Sequence, residues 1–107
     1  MDRIISELQE IIDDLSDGRI GEIMRRRQNG VLTEEEISGA ISDYSGTISR
    51  EKVAEERLNL IEYENKPESG LLEYDLLVDG AASDLTLTCD YDLHRTPALK
   101  IESIHVL

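Results

Sequence analysis

Near Leu58 the spacing of apolar residues changes from about 3.6 to 2, the repeat of a helix giving way to that of a strand. A chain that changes period once, helices first and strands after, can form few architectures. Its strands are joined by short connections, which implies an antiparallel meander rather than crossovers. The expected fold is therefore α+β, with N-terminal helices packed on one face of a four-stranded antiparallel meander. A length of 107 residues supports a single domain over 1–107. Its helical part is expected over 1–46 and its sheet part over 57–107.

In the first segment, Ile4, Ile5, Leu8, Ile11, Ile12 and Leu15 fall on one helical face over 2–15, with Glu7, Glu10, Asp13 and Asp14 outside that stripe. Ser16-Asp17-Gly18 breaks it. A second helix is expected over roughly 18–28, with Gly30 as its stop and Arg25-Arg26-Arg27 opposing its dipole. Thr33-Glu34-Glu35-Glu36 reads as a capping box, and Leu32 and Ile37 as the staple around it. Residues 47–56 read as loop with a helical turn near 50–55.

Strands are expected at about 58–64, 71–78, 84–92 and 99–107. In the third, Leu85, Leu87, Cys89 and Tyr91 alternate with Asp84, Thr86, Thr88, Asp90 and Asp92, which predicts one buried and one solvated face. In the fourth, Leu99 and Ile101 share a phase that Ile104 and Val106 do not. Either a bulge lies near Glu102-Ser103 or both faces are covered. The expected connections are 65–70, 79–83 and 94–97.

Twenty-four acidic residues against 11 basic ones give a net charge of −13. That argues against nucleic acid as a direct partner and against an anionic membrane. A basic protein is the natural complement, solubility alone the plain alternative. No apolar run approaches the roughly 20 residues of a membrane span. The acidic, helical start does not read as a signal peptide, so a cytoplasmic protein is expected.

Little in the sequence carries catalytic chemistry. Cys89 lies on the apolar phase in an acidic neighbourhood, so it reads as a buried, inert thiol. No metal spacing surrounds His94 or His105, and Gly18-Arg19-Ile20-Gly21 lacks the context of a phosphate loop. No catalytic, metal or cofactor site is expected. The four tyrosines, Tyr44, Tyr63, Tyr74 and Tyr91, sit mostly on apolar phases and read as core. The carboxylates of the strands suggest an acidic, threonine-studded sheet face. Its candidate partner-binding residues are Glu62, Glu64, Glu73, Asp75, Asp90 and Asp92.

Three stretches carry a resemblance: Ile41-Ser42-Asp43-Tyr44-Ser45-Gly46-Thr47-Ile48, Ser83-Asp84-Leu85-Thr86-Leu87-Thr88 and the terminal Ile104-His105-Val106-Leu107. Together they resemble a small bacterial domain similar in size and layout to the immunity proteins of polymorphic-toxin and contact-dependent growth inhibition systems. The resemblance spans about 32–107 and brings no catalytic residue. It implies a non-enzymatic protein that neutralises a cognate toxin C-terminal domain. With the acidic charge, the toxin is expected to be a basic nuclease whose active site or substrate groove is blocked. Asp84 and His105 belong to the resembling stretches. Structural roles are open for both, Asp84 capping the turn before the third strand and His105 bonding across the sheet. A rival reading is a small enzyme or ligand-binding module with a pocket between helices and sheet, lined by Cys89, Tyr91 and His105. A homodimer using the last strand as a free edge is a third.

Overall fold

Period and capping place three helices before the sheet, and the computed structural model, which describes residues 2–106, has them as α1 (Asp2–Asp17), α2 (Ile20–Arg25) and α3 (Glu34–Ser42). One 3₁₀ turn at Glu55–Arg57 leads into β1 (Leu58–Tyr63), β2 (Lys66–Val78), β3 (Ala81–Asp92) and β4 (Leu99–Val106). The strands form one antiparallel sheet in the order β1-β2-β3-β4. The α+β meander expected from the periods is the fold observed.

The apolar stripe of α1 supplies Ile4, Leu8, Ile11, Ile12 and Leu15 to the core. Leu8, Ile11 and Ile12 are wholly buried and join Leu72, Tyr74, Leu76, Leu87, Leu99 and Ile101 from the sheet. Each such side chain contributes about 1.5–3 kcal/mol through removal from water. Asp14, expected outside the stripe, is buried instead, because α2 folds back and covers it with Arg26 and Arg19.

Helix α2 stops at Arg25, three residues short of expectation. Arg27 takes φ +61°, its N–H donates to the Met24 carbonyl, and the Gln28 N–H donates to the Ile23 carbonyl. That double bond is a Schellman closure with arginine at the left-handed position. Gly30 is therefore not the stop. It lets the chain approach β4: a Cβ there would stand 2.7 Å from the Ile101 carbonyl oxygen. The arginine triplet also does more than oppose a dipole, since Arg25 pairs with Glu22 and Arg26 with Asp14. The capping box of α3 is present in both directions, with Glu36 N–H on Thr33 Oγ1 at 3.1 Å and Thr33 N–H on Glu36 Oε1 at 2.9 Å.

The hairpins are tighter than expected. Asp79 and Gly80 both have positive φ, 51° and 77°, and Val78 pairs with Ala81. This is a two-residue type I′ turn, which extends β3 back to Ala81. The connection expected at 65–70 shrinks to Glu64-Asn65, and β2 starts at Lys66. Tyr63 pairs with Lys66 but Glu62 with Gly70, so Pro67-Glu68-Ser69 bulge out of the β1–β2 ladder, although Ser69 still pairs with Asp92 of β3. Proline is tolerated there because a bulged residue owes the ladder no donor. In β4, Thr88 pairs with Ser103 and Cys89 with Ile101, leaving Glu102 as the extra residue. The bulge rotates the strand so that Leu99, Ile101 and Ile104 all reach the core.

Candidate functional site

The helices cover one face of the sheet, and among the described residues no element covers the other. On the bare face the register sets three rows across the strands: Ile61–Leu71–Asp90–Lys100, Asn59–Glu73–Thr88–Ser103 and, over β2 to β4, Asp75–Thr86–His105. This face carries threonines and carboxylates, as the alternation implies. It is less solvated than expected along β3. Thr86 is wholly buried, and Thr88 and Asp92 nearly so. β3 is a central strand, so Asp75 and His105 flank Thr86 from both sides, and Glu73 and Ser103 flank Thr88.

Thr86 Oγ1 donates to Asp75 Oδ1 at 2.9 Å, whereas the Thr88 hydroxyl is buried without a partner. A buried hydroxyl left unpaired costs about 1–3 kcal/mol. The isosteric Thr88→Val substitution is therefore expected to stabilise the domain by about 1 kcal/mol. Urea denaturation would read this as a higher midpoint with an unchanged slope.

The six predicted carboxylates do not share one face. Glu73 and Asp75 project from β2 on the bare face. Asp90 also lies there but is held by Arg95 at 2.8 Å and accepts from the Tyr63 hydroxyl at 3.2 Å. Asp92 is buried at the end of β3. It accepts the His94 N–H at 2.9 Å and pairs with Lys66 at 3.2 Å, and these hold its carboxyl below the usual carboxylate range. It closes a turn and is no free surface charge. Glu62 falls on the opposite phase of β1, with Leu58 and Leu60. Glu64 stands exposed at the hairpin tip.

Four of the six are strung along β1 and β2, from Glu64 at the hairpin tip to Asp75 just beyond the start of β1. Among the described residues, no Lys, Arg or His lies within ion-pair distance of Glu62, Glu64, Glu73 or Asp75. Glu7, Glu10, Asp13, Asp14, Asp17 and Glu22 of the helical layer, by contrast, each have an arginine. Ile61 and Tyr63 add exposed apolar surface, 48% and 37% accessible. Sequence reasoning placed Tyr63 with the core and passed over Ile61. Edge position, which alternation alone does not reveal, is what exposes them.

The remaining residues singled out from sequence are dispersed. Cys89 is fully buried, which pushes its thiol far above the usual range. Tyr91 is buried beside it on the core face, whereas His105 follows the Glu102 bulge onto the bare face. The three proposed pocket residues are thus split between the two faces of the sheet. Asp84 does not cap the turn before β3, which is Asp79-Gly80; it lies within the strand and accepts from the Tyr44 hydroxyl at 2.7 Å, while the neighbouring Ser83 accepts the Leu85 N–H at 3.1 Å. His105 does not bond across the sheet; its Nδ1 meets Ser103 Oγ two residues back on the same strand.

These features define the class: a small α+β domain with a helical layer on one sheet face, an open second face and an acidic edge. The chain belongs to the family described as "Domain of unknown function (DUF7668)", whose profile matches residues 12–107. No curated protein and no solved structure matches it. None of the described helices is long and apolar enough to cross a membrane.

Proposed function

We propose that the chain is a non-enzymatic immunity protein of the cytoplasm, which binds a cognate toxin domain and occludes its active site or substrate groove. The observation that carries this reading is the line of carboxylates Glu62, Glu64, Glu73 and Asp75, spread along β1 and β2 without a basic partner among the described residues, with Ile61 and Tyr63 exposed between them. Arginines neutralise many acids elsewhere on this chain, and here none does. Unscreened like charges at a surface are relieved by a cationic partner. A nuclease must attract phosphate and so presents a positive groove, which fits such a line of charge and draws it in quickly. Apolar side chains amid the charge supply the short-range contact that steering alone lacks.

Co-expression with each polypeptide encoded beside this chain tests the reading. One neighbour is expected to arrest growth alone, to be tolerated with this chain, and to co-purify stoichiometrically at low salt. Neighbours that are harmless alone, or toxicity this chain does not relieve, would overturn it.

A further inference from the structure

β1 is the bare edge of the sheet, and its main-chain groups can be assigned to sides. The Ile61 carbonyl is directed at β2, because a Cβ added to Gly70 would stand 2.1 Å from its oxygen. Successive residues of an antiparallel strand turn their N–H and C=O to opposite sides. Leu58, Leu60 and Glu62 therefore point theirs away from the sheet. The Leu58 N–H fits this assignment, since the Glu55 carbonyl accepts it from outside the ladder. Outside the ladder, no hydrogen bond among the described residues engages the main-chain N–H or C=O of Leu60 or Glu62.

The opposite edge is treated differently. There the Ile101 N–H of β4 donates to the Gln28 carbonyl at 2.7 Å and Gly30 packs against the same residue, so the final strand is covered at its middle. Exposed edges are usually blunted by lysine, proline or a covering segment. Leu58-Asn59-Leu60-Ile61-Glu62-Tyr63 has none of these, and the only charge on it is negative.

We propose that β1 accepts an extended segment of a basic polypeptide as a fifth strand. Leu60 and Glu62 would supply the main-chain ladder. Ile61 and Tyr63 would contact the apolar residues of the added strand, and Glu62 and Glu64 its basic ones. A second copy of this chain is the poorer occupant: each carries −13, and pairing β1 with itself gathers both sets of Glu62 and Glu64 on one short seam. The inference rests on the reading that the partner is cationic.

The test uses the full chain labelled with ¹⁵N and two octapeptides of alternating lysine and valine, one unmodified and one N-methylated throughout. Both carry the same charge, but only the first can join a ladder. The unmodified peptide is expected to shift the Leu60 and Glu62 amides and slow their hydrogen exchange. The methylated one should bind about tenfold more weakly, the loss of one or two net hydrogen bonds. Glu62→Pro, which removes an outward N–H, should weaken the unmodified peptide more than Glu62→Gln, which removes only the charge. Equal binding of the two peptides would overturn strand addition and leave the electrostatic reading standing. Absence of any shift at Glu62, Glu64, Glu73 or Asp75 with either peptide would overturn both. Shifts that grow with protein concentration alone would assign the edge to a second copy and overturn the proposal.

Discussion

Asp14→Ala is expected to destabilise the domain by roughly 2–4 kcal/mol, a substantial part of the 5–15 kcal/mol typical of a domain. Asp14 is 5% exposed and holds Arg26 and Arg19. Arg26 itself is mostly buried and also binds Gln28 Oε1 at 2.9 Å. Removing the carboxylate leaves that guanidinium inside with only Glu10, at 4.0 Å, as a charged partner. The loss matters beyond one pair, because α2 is six residues long and has no side-chain cap. A helix that short does not stand alone and relies on its contact with α1. The melting temperature is expected to fall by roughly 10–25 °C. Asp14→Asn, which keeps the size and one acceptor, should cost less. The double substitution Asp14→Ala with Arg26→Met should cost less than the sum of its parts, because it strands no charge. A change within about 0.5 kcal/mol for Asp14→Ala would place the pair among exposed ones that contribute little.

The fold was legible because its signals are local. The α1 stripe, the Thr33–Glu36 box and the 85-87-89-91 alternation each specify an element without knowledge of the rest. The bulge at Glu102 was legible as a phase conflict within one strand. What escaped was set by partners distant in sequence. Asp14 looked like surface because α2 had not yet been folded over it. Arg27 was unreadable as a helix stop, since glycine is the usual residue at that position. Asp79-Gly80 is the one missed signal that was local; its type I′ preference marks a two-residue hairpin. The candidate site fared worse for the same reason. Period 2 correctly put Glu73, Asp75 and Asp90 on one face, but it cannot say that Arg95 and Lys66 neutralise Asp90 and Asp92. Nor can it say which strand is an edge.

Reversing Glu64 and Glu73 to lysine is expected to slow association with the cationic partner by about tenfold to a hundredfold at low ionic strength. The two side chains suit the test because they do little for the fold. Glu64 stands at an exposed turn, and Glu73 only accepts from Asn59 at 3.2 Å. The difference should largely vanish near 1 M salt, where the screening length is about 3 Å. A matched control separates a local footprint from overall charge. Glu34→Lys with Glu35→Lys, on α3, also adds four charges, taking the net from −13 to −13 + 4 = −9. If total charge steered the encounter, both pairs would slow it equally. If the β1 side of the sheet is the docking point, the α3 pair should leave the rate within about twofold of wild type, since its field is screened beyond roughly 10 Å. Equal slowing would remove the reason for placing the partner at β1, although not the reason for expecting it to be basic. Dissociation carries separate information, because steering acts mainly on the approach and contacts mainly on the escape. Replacing Ile61 by serine should speed dissociation while sparing association, the signature of an apolar anchor within an electrostatic rim.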